Sequence, residues 1–328
     1  MQAVLLKDFG GPEVMYLGQA PQPEMQDGQV LIKVHATSVN RPDIVQRQGN
    51  YAPPKGDSEI LGLEVSGVVE QVCESETRWK PGDRVFALIG GGGYAEYAVA
   101  HSGHIMAIPN HMSFAEAACI CETYLTAYLN VFLLGGLADG QTVLLHGGGG
   151  GVNTAAIQLC RALCNDVQII VTASSRKVER VIELGADFVI DYTDESFADR
   201  VKEITSGAGA DIILDHIGAS YFAPNMKCLG VGGRLVEIGV TSGIKAELNI
   251  ALIMVKRQQI IGSTLRPRSV DEKASIIDSF QSNVMPLFEQ SEIKPLISHR
   301  FPLEDAARAH ELMESSQHFG KIVLEIRS

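Results

Sequence analysis

The chain has 328 residues, 45% of them hydrophobic and 20% charged, with 33 glycines and a single tryptophan. That is apolar material enough to bury at least one full core, and it excludes a disordered chain. A formal net charge of −12 repels phosphate backbones and anionic membranes, and no basic run offsets it, so neither a nucleic-acid nor a membrane partner is expected.

The amino terminus, MQAVLLKDFGGPEV, offers only a few apolar residues before Lys7 and Asp8, too short for a secretory core or a membrane span, and a cytoplasmic location is expected. Up to about residue 120, alternating stretches such as VLIKVHATSV and VSGVVEQV are broken by GGPE, YAPPKGD and KPGDRV, a pattern that predicts a strand-rich domain. From residue 122 the texture changes to TVLLH, VQIIVTA, DFVID, DIILD, RLVEIG and IIGST, short apolar runs alternating with helical patterns. These runs predict an α/β doubly wound parallel sheet. After residue 266 comes an acidic-led helix candidate, DEKASIIDSFQ, and then a tail that reads strand, helix, strand and is expected to return to the first domain. The expected domains are therefore 1–121 with 267–328, and 122–266. The six cysteines contain no C-x-x-C pair and read as buried free thiols.

Between TVLLH and a helix pattern (Val152, Ala155, Ala156, Leu159, Leu163) lie five glycines, Gly147 to Gly151. A strand-to-helix turn without side chains lets a pyrophosphate approach the backbone, and the helix N-terminus meets its charge. A strict G-x-G-x-x-G spacing is absent, because the last position falls on Val152, Asn153 or Thr154. Further on, an NAD site would show a carboxylate at the end of the second strand. Here the strand ends in TASSRKVER, where Ser174, Ser175, Arg176 and Lys177 precede any carboxylate. Hydroxyls and cations suit a 2′-phosphate, so NADPH is expected over NADH, with Tyr192 beside the same phosphate or the adenine.

SVNRPDIVQRQGNYAPP, ILGLEVSGVVE, GGGYAEYAVA, CETYLTAY, the glycine turn, LDHIGAS and FGKIVLEI together resemble the zinc-free NADPH:quinone oxidoreductases, the zeta-crystallin-like branch of the medium-chain dehydrogenase/reductase superfamily. The resemblance runs nearly end to end. It implies a GroES-like β-rich catalytic domain built from both chain ends, a Rossmann domain between, a cleft at their junction, and hydride transfer to a quinone or another conjugated carbonyl. Carried over by motif, it puts Tyr51, Asn40 and Asp43 at the catalytic face. Tyr51 is the first choice as hydrogen-bond or proton donor to the quinone oxygen, Asn40 is a second donor, and Asp43 fixes the loop. It likewise assigns the cofactor to Gly148, Gly149, Gly150, Gly151 and Val152 in the turn, to Thr126, Ile238 and Gly239 with Val240 near the nicotinamide, and to Leu265 and Arg266 closing that pocket.

Zinc-dependent members carry Cys where this chain has Asn40 and His where it has Leu63, and no four-cysteine lobe follows Gly93, so no metal is expected. His101 and His104 read as surface-loop histidines, and Gly90 to Gly93 as a tight turn near the substrate mouth. Relatives usually end the cofactor turn Gly-Val-Gly, whereas here it reads Gly151-Val152-Asn153; asparagine tolerates left-handed backbone but adds a side chain, and the expectation is that extra glycine relaxes the turn enough to admit Asn153 beside the sheet. The apolar edge at IIGST invites pairing of two copies, so a homodimer is expected. Two other readings stay open, an enoyl-thioester reductase and an NADPH-binding structural or sensor protein.

Overall fold

Fifteen strands and the helices between them build two units in the computed structural model, which describes residues 1–74 and 76–326. The first unit comprises Met1–Leu125 and Leu265–Ser328, the second Thr126–Thr264. In the first unit the strands are β1 (Gln2–Leu6), β2 (Met15–Gln19), β3 (Gln29–Val39), β4 (Glu64–Val72), β5 (Arg84–Leu88), β6 (Tyr97–His101), β7 (Ile105–Ala107), and from the tail β14 (Ile297–Pro302) and β15 (Lys321–Glu325). In the second they are β8 (Thr142–His146), β9 (Gln168–Ala173), β10 (Phe188–Asp191), β11 (Ala210–Asp215), β12 (Leu229–Glu237) and β13 (Gln259–Gly262).

The first unit is organised on β3, whose apolar residues Val30, Ile32 and Val34 are sealed in its core. The sheet order is β14-β15-β3-β4-β5-β7, with β6 also on β3. The tail strand β15 lies antiparallel to β3, pairing Ile322 with Val39, so both chain ends contribute to one core through Ile322, Leu324, Val65 and Val85. Burying each such side chain is worth about 1.5–3 kcal/mol, which is what holds the returning tail.

The second unit is a six-stranded sheet in the order β10-β9-β8-β11-β12-β13, parallel at every pairing. Its central strands are covered on both faces: Val143, Leu144, Leu145, Ile169, Ile170 and Val171 are all fully buried, which is why they read as unbroken apolar runs. Chain order reverses between β8 and β11, the topological switch point where such sheets take ligands at the strand C-termini. A π-helical stretch, Tyr128–Leu134, precedes β8 and was not legible in the sequence. The unit begins and ends within four residues of the boundaries read from sequence, but Leu265 and Arg266 fall in the β-rich unit, because the Arg266 side chain bonds only there.

Candidate active site

In the second unit the glycine turn follows β8. Gly147 has φ +83°, and a side chain there would also run into His216, 2.7 Å away. A Cβ on Gly148 would stand 2.5 Å from Val171, so the turn is pressed onto β9. The amides of Gly147 and Gly148 both donate to the Thr172 carbonyl, at 3.0 and 2.9 Å. Gly150 caps the helix Gly151–Leu163, and Val152 lies in its first turn. Asn153 is a helical residue of that same turn, 2% exposed, and donates to the carbonyls of His146 and Gly147 at 2.5 and 3.1 Å. Asn153 thus lies beside the sheet and pins the turn to the end of β8 from within the helix, and the positive φ of the turn belongs to Gly147.

Lys177 lies over this turn, for a Cβ on Gly149 would be 2.9 Å from its ammonium. Burial, then the charges of Arg176 and Arg180, push Lys177 down to about 8. Ser174 and Ser175 follow β9 beside it, and the Tyr192 amide donates to the Ala173 carbonyl, which places Tyr192 at the same strand ends. The fold also brings in a carboxylate that the sequence hid. Asp191, at the end of β10, accepts from Thr193 at 2.7 Å, and the Ser175 hydroxyl beside it helps hold its carboxyl below its usual range. Ile238 and Gly239 leave β12 against the end of β11, the Ile238 amide donating to Asp215 at 2.8 Å. His216 therefore sits between Gly147 and Gly239, each of which would strike it if it carried a Cβ. Thr126 gives its carbonyl to the Asn130 amide at 2.7 Å, within the first turn of the π stretch.

Glycines that leave bare backbone at a helix start, with a lysine above them, form a cradle that fits a dinucleotide's diphosphate. A dinucleotide bound there would supply a hydride from its reduced nicotinamide.

In the first unit, Asn40 precedes the helix Arg41–Arg47 and is 4% exposed. Its amide donates to Glu64 at 3.0 Å and its oxygen accepts from Lys321 at 2.5 Å, so both polar ends are taken by protein. Glu64 also accepts from Ser38 at 2.5 Å, from Lys321 at 3.0 Å and from the Glu122 amide at 2.9 Å. Asp43 is fully buried and accepts from the amides of Asn40 and Gly62 and from the Tyr94 hydroxyl, at 2.7, 3.1 and 3.3 Å. Arg47 meets Nδ1 of His310 at 3.1 Å; an arginine only donates, so Nε2 of a neutral His310 donates to Tyr94 and Tyr94 to Asp43. Burial raises Asp43 to about 6 despite these donors. Asn40 and Asp43 thus shape the loop from behind, and neither turns a free polar group outward.

Tyr51 differs. Its ring lies 5.1 Å from the Arg266 guanidinium, its carbonyl accepts from the same group at 3.4 Å, and its hydroxyl makes no hydrogen bond to a described residue. Burial first, then Glu122, raise the phenol above 10.0, so it stays protonated at neutral pH. Arg266 is fastened to the Gly90 carbonyl at 2.8 Å and to Gln46 at 2.8 Å, and Leu265 beside it is buried. Glu122, unassigned from sequence, is pushed up to about 8 by burial and by Glu64. Lys321 was missed as well; its only signal was a lysine opening an otherwise apolar terminal strand.

Two family descriptions match the chain: the alcohol dehydrogenase GroES-like domain over residues 26–110, and zinc-binding dehydrogenase over 184–324. The second name implies zinc, and the residues do not fit it. The carboxyl of Glu64 is occupied by Lys321, Asn40, Ser38 and a main-chain amide, and among the described residues no group of His, Cys, Asp and Glu could hold a metal. Quinone oxidoreductases of Homo sapiens and Rattus norvegicus are 34% and 32% identical, each alignment covering 99% of this chain and 97% of the relative. Among solved structures, an NAD-dependent alcohol dehydrogenase is 32% identical with a TM-score of 0.87 over the whole of both chains. A mycobacterial protein complexed with NADPH is 30% identical with a TM-score of 0.88, over 99% of this chain and all of that one. A discontinuous GroES-like unit interrupted by a Rossmann sheet defines a medium-chain dehydrogenase/reductase, a class of nicotinamide-dependent oxidoreductases. Within it, this chain belongs to the quinone oxidoreductase family, the zeta-crystallin-like branch.

Proposed function

We propose that this oxidoreductase uses NADPH to reduce a quinone, or a similarly activated conjugated carbonyl, without a metal. One observation carries this reading: a protonated phenol, Tyr51, held under the Arg266 guanidinium with its hydroxyl making no hydrogen bond to a described residue. Charge that develops on a quinone oxygen as hydride arrives needs a nearby donor, and Tyr51 supplies it while Arg266 stabilises the same charge. A quinone takes hydride readily, so no Lewis acid has to polarise it. Asn40 and Asp43 keep the Tyr51 loop in place through Glu64, Lys321 and Tyr94, and Leu265 is buried next to Arg266 in the chain.

The dinucleotide is assigned to Gly148, Gly149, Gly150, Gly151 and Val152, with Thr126, Ile238 and Gly239 toward the nicotinamide and Ser174, Ser175, Lys177 and Tyr192 toward the ribose. Lys177 with Arg176 and Arg180 outnumbers the carboxylates of Asp191 and Asp194, which share the Thr193 hydroxyl, and this balance favours the 2′-phosphate of NADPH. The edge strand β13 carries half-exposed Ile260 beside exposed Ile250 and Met254, which supports a homodimer paired through that edge.

Steady-state assays with an ortho-quinone, a 2-enoyl thioester, NADPH and NADH test the reading. Turnover of the quinone with NADPH is expected, with kcat lowered about a hundredfold in Tyr51→Phe. Reduction of the thioester alone, or full activity in Tyr51→Phe, would refute it.

A further inference from the structure

The β-rich unit contains a cavity of about 310 Å³, the size that holds a small ligand. Its walls are the loop at Asp57 and Ser58, the glycine turn Gly90–Gly92, the end of β6, and the first turn of the helix Val270–Asn283. His104, expected on the surface, is instead 3% exposed, because this helix packs on the turn Ser102–His104 and the Val270 carbonyl takes the hydrogen of His104 Nε2 at 2.9 Å. That correction turns a loop into a wall.

Lys273 lines the cavity from the same helix and is 8% exposed. Its ammonium makes no hydrogen bond or ion pair with a described residue, whereas the other buried lysine, Lys321, is ringed by acceptors. A buried cation in that condition is unfavourable until an anion joins it. Burial pushes Lys273 below 10.5, and the charges of Asp57 and Glu122 oppose that shift. Arg268 and His101 complete the polar lining. The helix contributes its N-terminal dipole, and its capping pair Ser269 and Glu272 is satisfied internally. Asp57, in the loop that forms another wall, is the carboxylate that lines the cavity among the described residues, and Glu272 pairs with Arg268 at 3.6 Å.

We propose that this cavity is a binding subsite for a small oxyanion, a carboxylate or a phosphate, with Lys273 as its counter-ion. The Gly90 carbonyl ties the cavity wall to Arg266, and Arg266 lies on Tyr51. The oxyanion is therefore an acidic substituent on the reduced substrate, a step that rests on the quinone reading above. Free inorganic phosphate or acetate would occupy the same place.

The imidazole NMR signals of His101 and His104 report on the cavity without any turnover. Titration with inorganic phosphate and with acetate is expected to shift them saturably in the wild-type chain. Affinity should fall about tenfold or more in Lys273→Met and be largely kept in Lys273→Arg. In assays, Lys273→Met is expected to lose the preference for a carboxylated quinone over its neutral counterpart while reducing the neutral one normally. No saturable shift, or an equal shift in a folded Lys273→Met, overturns the proposal. So does anion binding that appears only in Asp57→Asn, since Lys273 would then be paired internally with Asp57. Phosphate binding lost in Lys273→Met, in a protein that reduces no quinone, would keep the subsite and refute the quinone reading instead.

Discussion

Tyr51 and Lys321 show how differently two polar side chains can be used in one unit. Lys321 is spent on structure: it neutralises Glu64 where zinc-dependent relatives place metal ligands, and it holds the Asn40 carbonyl. Replacing it with Met leaves a buried carboxyl without its cation, and a loss of about 3–5 kcal/mol is expected in urea unfolding. Tyr51 by contrast makes no hydrogen bond through its hydroxyl to any described residue and is the group proposed to act. Lys177 stands between these extremes, over the glycine turn with two arginines near it. Lys177→Ala should raise KM for NADPH about tenfold or more while KM for NADH changes little, read as a ratio of kcat/KM values. Tyr51 and Lys177 could be proposed from the sequence because each stands in a recognisable motif. That Asn40 and Asp43 are sealed behind the loop was not, since burial there depends on Lys321, Tyr94 and His310, far away in sequence.

Among the elements, β11 and β12 carry a feature no motif announced. Their last residues, Asp215 and Glu237, are register partners. Asp215 takes the amides of Ile217 and Gly218 and the Asn225 side chain, at 2.6, 3.3 and 3.0 Å. Burial, and then Asp215, push Glu237 from 4.5 up to about 8, so it keeps its proton at neutral pH, while neither of its oxygens finds a hydrogen-bond partner among the described residues. The folded form then holds a proton that the unfolded chain releases at lower pH. The stability Glu237 contributes is full below about 4.5 and is lost as pH rises toward about 8. Unfolding free energy should therefore fall across that window in the wild-type protein, and the fall should be shallower in Glu237→Gln, as measured by urea titrations at stepped pH. The glycine turn is the opposite case. Its place between strand and helix was plain from sequence, and only the tight packing of Gly148 on Val171 shows why that glycine cannot vary.

For the whole molecule, the chain order of the two units matters most. The tail returns to pair β15 with β3, so the β-rich unit is completed by residues that follow the Rossmann sheet in the chain. If two copies join through β13, a charge at the half-exposed Ile260 should separate them. Ile260→Lys is expected to shift the protein from dimer to monomer in light scattering, with the α/β circular dichroism signal retained. No helix among the described residues is long and apolar enough to cross a membrane.

By itself the sequence determined the alternation of strands and helices, the glycine turn between a strand and a helix, the returning tail and the family, because all are written in local periodicity and in motifs of contiguous residues. Only the tertiary structure decided which polar groups are spent and which are open. Whether Asn40 finds Lys321, whether Asp191 comes to lie beside Ser175, and whether Lys273 is left facing a cavity each depend on long-range contacts that remove water from one side chain and leave it on the next.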